Sequence, residues 1–140
     1  MAHWLVKSEP SAWSFADQVA AGAKGTSWNG VRNHAAKLNL MAMKVGEEAF
    51  FYHSNEGKEI VGIVEIVREH YLDPKDPAQR FPAVDVAPVA PLAHPVTLAA
   101  IKATPALADL ALVRQSRLSV VPVGDAHWAT IMAMSEAAAD

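Results

Sequence analysis

Within six residues, Trp28-Asn29-Gly30-Val31-Arg32-Asn33 set a flat aromatic beside two side-chain amides, a guanidinium and a glycine. Those residue types share one use, which is to hold a flat, polar ligand. An indole offers a stacking face, a carboxamide pairs with polar planar edges, a guanidinium forks onto anions, and glycine admits close backbone approach. Two more polar clusters interrupt otherwise apolar sequence: Lys7-Ser8-Glu9-Pro10 upstream and Tyr52-His53-Ser54 downstream. The expectation is that all three meet at one pocket.

Trp28 is the residue expected to stack on the ligand, because it sits between a Gly/Ser/Thr loop and a polar hexapeptide, where core residues are scarce. The competing assignment is a core tryptophan, the usual fate in a domain of this size. A base stacked on one aromatic gains roughly 1–3 kcal/mol. Trp4 and Trp128 fall on regular apolar faces and are assigned to packing. Trp13, in the turn after Pro10, either covers the pocket mouth or caps the first helix.

The polar residues each carry a bland alternative. Ser8 ends a strand on the face of Trp4 and Val6, so its hydroxyl serves either local backbone or a ligand edge. Glu9 is suited to accept from an exocyclic amine, or is a solvated turn residue. Asn33 is a good N-cap, and Asn29 a good turn former. Tyr52, His53 and Ser54 end a strand beside a turn, a common place for binding groups. Arg32 and Arg117 are candidates for phosphate contacts, with Lys7 and Lys37 beside them, or for pairs with Glu9, Glu65 or Asp85. Glu65, in an apolar strand, is expected to need an ion pair.

Catalysis finds little support. The chain has no Gly-x-Ser-x-Gly elbow, P-loop, His-Glu-x-x-His or dinucleotide fingerprint. Its histidines, at 3, 34, 53, 70, 94 and 127, lack ligand spacing. Ser8, His53 and Glu9 can be drawn as a triad, yet nothing in the sequence supplies an oxyanion hole. Neither a metal nor a cofactor is expected.

The whole chain sets looser bounds. Its 140 residues make one domain, 1–140, long enough to bury a core. Without cysteine there is no disulfide or thiol chemistry, and with no basic start followed by an apolar run it reads as cytoplasmic. No run approaches the length of a membrane span. The net charge of −3 argues against a general duplex-DNA binder. The charge is uneven, however: residues 1–46 hold five cations against two acids, and the rest hold seven against thirteen. That leaves the first third basic and able to face an anion.

The elements that must position these groups follow from pattern. Residues 3–8 alternate as a strand. Ser14-Phe15-Ala16-Asp17 has capping-box spacing for a helix over 14–21, closed by Gly22. Residues 23–30 read as loop, and Asn33 opens a helix to about Met43 whose stripe is Ala36, Leu40 and Met43. Strands over 48–54 and 59–71 form a hairpin through Asn55-Glu56-Gly57-Lys58. The second of these is apolar on both faces and so central, with Gly62 marking a bulge or close approach. Residues 73–82 read as a Pro-interrupted loop, and 84–96 as extended chain at a sheet edge. Thr97 caps a short helix to Lys102, and Pro105 starts another turn. A strand over 117–121 stops at Pro122, and Asp125 caps a helix to about Met134. This order predicts an α+β fold with a curved, barrel-like sheet. Exposed apolar residues in the Ala/Pro-rich segment 86–100 leave room for a homodimer.

Five stretches carry a family resemblance. Trp4 to Pro10, Trp28 to Asn33, Phe51-Tyr52-His53-Ser54-Asn55, Val61 to Ile66 and Arg114 to Val120 resemble, in order, those of the EVE domain. The likeness covers essentially the whole chain. It implies a PUA-like fold, a small curved β-barrel with flanking helices, akin to the YTH and ASCH domains. It also implies a reader of modified bases, with modified cytosine in DNA the best-supported ligand and modified RNA plausible for bacterial members. Such relatives often carry a Trp shortly before the strand, where this chain has Phe81-Pro82-Ala83-Val84-Asp85-Val86, a departure that bears on ligand preference and not on fold.

The resulting expectation is a non-catalytic domain that binds a flipped-out or unpaired modified base in DNA or RNA. Trp28, Ser8, Tyr52 and Ser54 would border the pocket, Asn29, Asn33 or backbone amides read the edge, and Gly30 and Val31 complete the wall. A small hydrolase or transferase using His53 or Glu9 as general base, and a protein- or metabolite-binding module, are the alternatives.

Overall fold

A computed structural model describes residues 2–137. Six strands form one sheet, in the order β2-β5-β4-β3-β1-β6: β1 His3–Ser8, β2 Thr26–Trp28, β3 Glu48–His53, β4 Glu59–Leu72, β5 Pro82–Thr97 and β6 Val120–Val123. β1 runs parallel to β3, because the chain between them crosses over through two helices and β2; the other pairings are antiparallel. Flanking the sheet are α1 Phe15–Ala21, α2 His34–Ala42, α3 Leu98–Lys102, α4 Ala111–Arg114 and α5 Asp125–Ala137, with a 3-10 turn at Pro105–Leu107. The register shifts four times between the long strands β4 and β5 and once between β3 and β4. Such irregularities bend strands, and the result is the curved sheet of a PUA-like α+β fold.

Local chemistry explains the helix starts. Ser14 accepts from the Asp17 N–H while the Asp17 carboxylate accepts from the Ser14 N–H, a closed capping box. Asn33 accepts from the Ala35 and Ala36 N–H groups at the start of α2, and Ala36, Leu40 and Met43 are fully buried along its inner stripe. Gly62 proves to be a close approach as well as a bulge. A Cβ there would overlap the Phe15 ring, so this glycine is what lets α1 lie down on β4.

Several boundaries differ from the pattern-based expectations. Residues 26–28 form an edge strand, not loop, because Thr26, Ser27 and Trp28 pair with Val86, Asp85 and Val84. β5 is therefore second in the sheet and not its edge. Beyond Val86, however, it has a neighbour on one side only, which is where Pro88, Pro91 and Pro95 fall. Pro122 lies within β6 instead of ending it, tolerated because β6 is the last strand of the sheet. The final helix extends past Met134 to Ala137. Glu65 is only half-buried, which removes the need for the expected ion pair, and it forms none among the described residues. In the segment proposed for self-association Val89 is exposed, whereas Leu92 and Val96 are buried.

Trp4 and Trp128 pack as expected. The Trp4 indole N–H donates to the buried Glu47 carboxylate at 3.0 Å. Burial pushes the Glu47 carboxyl up, but the Trp4 indole and the Lys44 and Ala2 N–H groups outweigh it and hold it below the ordinary value. Trp128 stacks on Phe50 with ring centroids 3.8 Å apart and on His3 at 4.3 Å. No described helix is long and apolar enough to cross a membrane.

Candidate functional site

β1 and β2 deliver the first two polar clusters to one place. A cavity of about 520 Å³ lies there, within the range of small-ligand sites. Its wall is built from Lys7, Ser8, Ala12 and Trp13 at the end of β1, from residues 26–32, and from Lys75 and Ser119. Of the residues singled out by sequence, Lys7, Ser8, Trp13, Trp28, Asn29, Gly30, Val31 and Arg32 line it.

Trp28 is 8% exposed, so most of the indole is packed and what remains faces the cavity it lines. It rests edge-on against Phe51. Trp13 is half-buried, and its indole N–H donates to Gln18 Oε1 at 2.9 Å. Gln18, wholly buried on α1, donates in turn to the Val86 carbonyl on β5. Thus a buried amide, with no periodic signal to single it out, fixes the second aromatic of the wall. The Ser8 hydroxyl donates to the Trp13 carbonyl at 2.6 Å, leaving it free only to accept from a ligand.

The Asp73 carboxylate anchors the loop after β2. It accepts from the Gly30 N–H at 2.8 Å, from Arg32 Nη1 at 2.8 Å and from the Lys75 N–H at 2.7 Å. Gly30 has φ +80° with open space around it, so glycine serves the left-handed turn and not a steric need. Burial pushes the Asp73 carboxyl up, but the Arg32 hydrogen bond, the two N–H donors and the Arg32 charge outweigh it and hold it below the ordinary value. Asp76 organises the same loop, accepting from the N–H groups of Ala78, Arg80 and Phe81. The repeated Asp-Pro at 73–74 and 76–77 was the available signal, since Asp before such turns commonly bonds the backbone just ahead of it.

Three cations, Lys7, Arg32 and Lys75, stand in the wall. Lys7 Nζ donates to the Ser116 carbonyl at 2.8 Å, and burial holds its ammonium below the ordinary lysine value. Arg32 keeps 39% of its side chain exposed despite the Asp73 pair, and its guanidinium lies 5.5 Å from the Phe81 ring centre. Lys37 Nζ lies 5.8 Å from the centre of the same ring and belongs to a second hollow with Phe81 and Arg80.

The remaining candidates lie outside the wall. Tyr52 and Ser54, expected at its border, are absent from it because β3 turns Tyr52 into the core, and the Ser54 N–H bonds the Ser8 carbonyl. His53 Nε2 accepts from the Phe15 N–H at 3.1 Å, one of the donors a helix start leaves unpaired. Burial lowers the His53 value more than the nearby Glu59 raises it. Asn33 is committed to its cap, Glu9 is exposed with its backbone carbonyl accepting from the Ala12 and Trp13 N–H groups, and Arg117 is exposed. Missed altogether were Ala12, Thr26, Ser27, Lys75 and Ser119 in the wall, and Asp73 and Tyr71, which bond to wall residues. No cluster of His, Asp and Glu among the described residues could hold a metal ion.

The comparisons with known proteins agree with one another. The model of the EVE domain matches residues 2–134. Thymocyte nuclear protein 1 of Rattus norvegicus is 34% identical over 96% of this chain and 74% of its own length. The chicken and human proteins of that name match at 45% and 47% identity, over stretches that span 38% and 36% of their lengths. An NMR structure from Rhodopseudomonas palustris has TM-score 0.92 and 58% identity, covering 98% of this chain and 94% of that one. The crystal structure of human THYN1 protein in complex with DNA containing 5-methylcytosine has TM-score 0.90 and 32% identity, covering 97% of this chain and 98% of that one. A YTH domain of Zygosaccharomyces rouxii, in complex with N6-methyladenosine RNA, shares the fold at TM-score 0.59 and 15% identity.

Proposed function

This chain belongs to the EVE domain family, and from that premise we propose that it is a non-catalytic reader of modified bases in nucleic acid. The observation that carries the reading is the cavity itself: an indole in its wall, with Lys7, Arg32 and Lys75 around it. An extruded base would lie on Trp28, and the cations would hold the flanking phosphates. The human relative's complex with 5-methylcytosine DNA supports a modified base as the ligand.

Magnitudes constrain how such a pocket discriminates. Burying one added methyl gives about 0.8 kcal/mol, only about a fourfold preference. Recognition therefore rests on stacking and on polar contacts with the base edge as much as on the methyl. The low net charge goes with weak, salt-sensitive binding of unmodified duplex.

The experiment is a panel of oligonucleotides carrying single modified bases, titrated against the chain and against Trp28→Ala. Under conditions where circular dichroism shows it folded, the variant is expected to lose about tenfold in affinity, the equivalent of removing one base–aromatic stack. Unchanged affinity in Trp28→Ala would remove the assignment of this residue. Turnover of modified nucleosides by the purified chain would replace the reader with an enzyme.

A further inference from the structure

From Asn29 in the cavity wall runs a chain of hydrogen bonds that the binding reading does not by itself require. Asn29 Nδ2 lies 3.2 Å from Ser27 Oγ, Ser27 Oγ lies 2.9 Å from the Tyr71 hydroxyl, and that hydroxyl lies 2.5 Å from Asp85 Oδ1. Three elements supply it: β2 holds Ser27, β4 holds Tyr71, and β5 holds Asp85 directly across from Ser27.

Counting protons along this chain fixes its direction. A carboxylate only accepts, so the single Tyr71 proton goes to Asp85. The Tyr71 oxygen is then left to accept, and the single Ser27 proton goes to it. Ser27 Oγ has no proton left for Asn29 and must itself accept, which obliges Asn29 to turn its NH2 group inward. An amide seen only by its shape could be placed either way round, but this network allows one orientation. Burial, and then the bond to Asp85, raise the Tyr71 phenol above its ordinary value, consistent with a phenol that keeps its proton.

Resting on the base-reading function, we propose that the Asp85–Tyr71–Ser27 relay locks Asn29 with its amide oxygen toward the cavity, so that the pocket selects bases presenting an exocyclic amine over bases presenting a carbonyl at that edge. Cytosine-type and adenine-type bases offer the amine; thymine, uracil and guanine offer an oxygen there. Two acceptors facing each other lose a hydrogen bond and leave both groups desolvated, the situation that separates related ligands most sharply. Asn29 is the contact in this scheme; Ser27, Tyr71 and Asp85 are positioning residues.

The test compares two single-stranded oligonucleotides that differ at one position, 5-methylcytosine in one and thymine in the other. The two bases share shape and methyl group and differ in the polar edge, and single strands remove the cost of unpairing. The chain is expected to favour 5-methylcytosine by about tenfold or more. Tyr71→Phe frees the Ser27 proton, and Ser27→Ala removes the acceptor that holds the amide. In both variants the ratio should fall to within about threefold, while Trp28→Ala weakens both oligonucleotides alike. A full ratio retained in Tyr71→Phe and Ser27→Ala, both shown folded by circular dichroism, would overturn the relay. A ratio near one in the unmodified chain, with Trp28-dependent binding of both strands, would overturn the amide assignment and leave the reader standing. Binding of neither strand would overturn both.

Discussion

Trp28 stands edge-on to Phe51, with ring centroids 5.5 Å apart and planes at 86°. Phe51 is fully buried in β3 and meets two more rings in the same way: Phe15 at 5.3 Å and His53 at 5.7 Å. The cavity's indole is thus braced by a ring from the middle of the sheet, and that ring by the first residue of α1. Such edge-to-face pairs contribute about 0.5–1.5 kcal/mol each beyond the area they bury.

Phe51→Leu should therefore act at a distance from the ligand. It keeps an apolar side chain of similar bulk but removes three aromatic contacts, and should cost about 1–3 kcal/mol of stability in urea denaturation. Trp28, losing its brace, should also bind modified oligonucleotides several-fold more weakly under conditions where the variant is fully folded. A destabilised variant with unaltered affinity would show that Phe51 supports the fold without setting the indole.

Asp73→Asn tests the anchor of the cavity loop. The amide has one oxygen to meet the donors now shared by two carboxylate oxygens, and no charge for Arg32. Allowing for the solvent around Arg32, the cost should be about 1–3 kcal/mol. Acid titration provides a second reading. The folded carboxyl sits below its ordinary value of 3.8, so its contribution is complete above that pH and is lost as pH falls through the lowered value. Asp73→Asn should flatten that part of the stability curve below about pH 4. An identical acid limb in both proteins would assign the acid sensitivity elsewhere.

His53 works at milder pH and with a different sign of charge. Its Nε2 must be unprotonated to accept the Phe15 N–H, and its folded value lies below the ordinary 6.5. Its contribution is accordingly intact above 6.5 and declines as pH falls through the lowered value, when the imidazole gains a proton and the start of α1 loses its acceptor. His53→Gln, whose side-chain oxygen can accept in its place, should remove this slope from thermal melts between about pH 7 and pH 5. The same slope in the variant would mean another group titrates there.

How much of this was legible depended on how local each cause is. The Ser14 box, the Asn33 cap and the stripe of α2 are written in neighbouring residues, and the sequence reading placed them. Trp28 could be placed at the cavity because its polar surroundings were visible along the chain. β2 could not be seen as a strand: three residues carry no period, and its partners, residues 84–86, are nearly sixty positions away. Asp73, Gln18 and Tyr71 were invisible as site residues for the same reason. Each acts through bonds to groups 41 to 68 residues distant in the chain. His53 and Asn33 were attractive for their chemistry, and the fold spends that chemistry on helix starts.

The cations around the cavity make a prediction about salt. If Lys7, Arg32 and Lys75 each neutralise one phosphate of a bound single strand, three contacts give a slope of log affinity against log salt of about −2. Arg32→Ala should reduce its magnitude by about 0.7, and Lys75→Ala by a similar amount, since each removes one counterion-releasing contact. The two variants should differ in stability. Arg32 is also the partner of Asp73 at 2.8 Å, whereas Lys75 meets that carboxylate through its backbone N–H, which alanine retains. Lys75→Ala should therefore leave denaturation unchanged while lowering affinity equally for modified and unmodified strands, as expected of a contact that reads charge and not sequence. Fluorescence titrations from 50 to 300 mM salt measure the slopes. A slope unmoved in Lys75→Ala would place the strand's path away from the 73–81 loop.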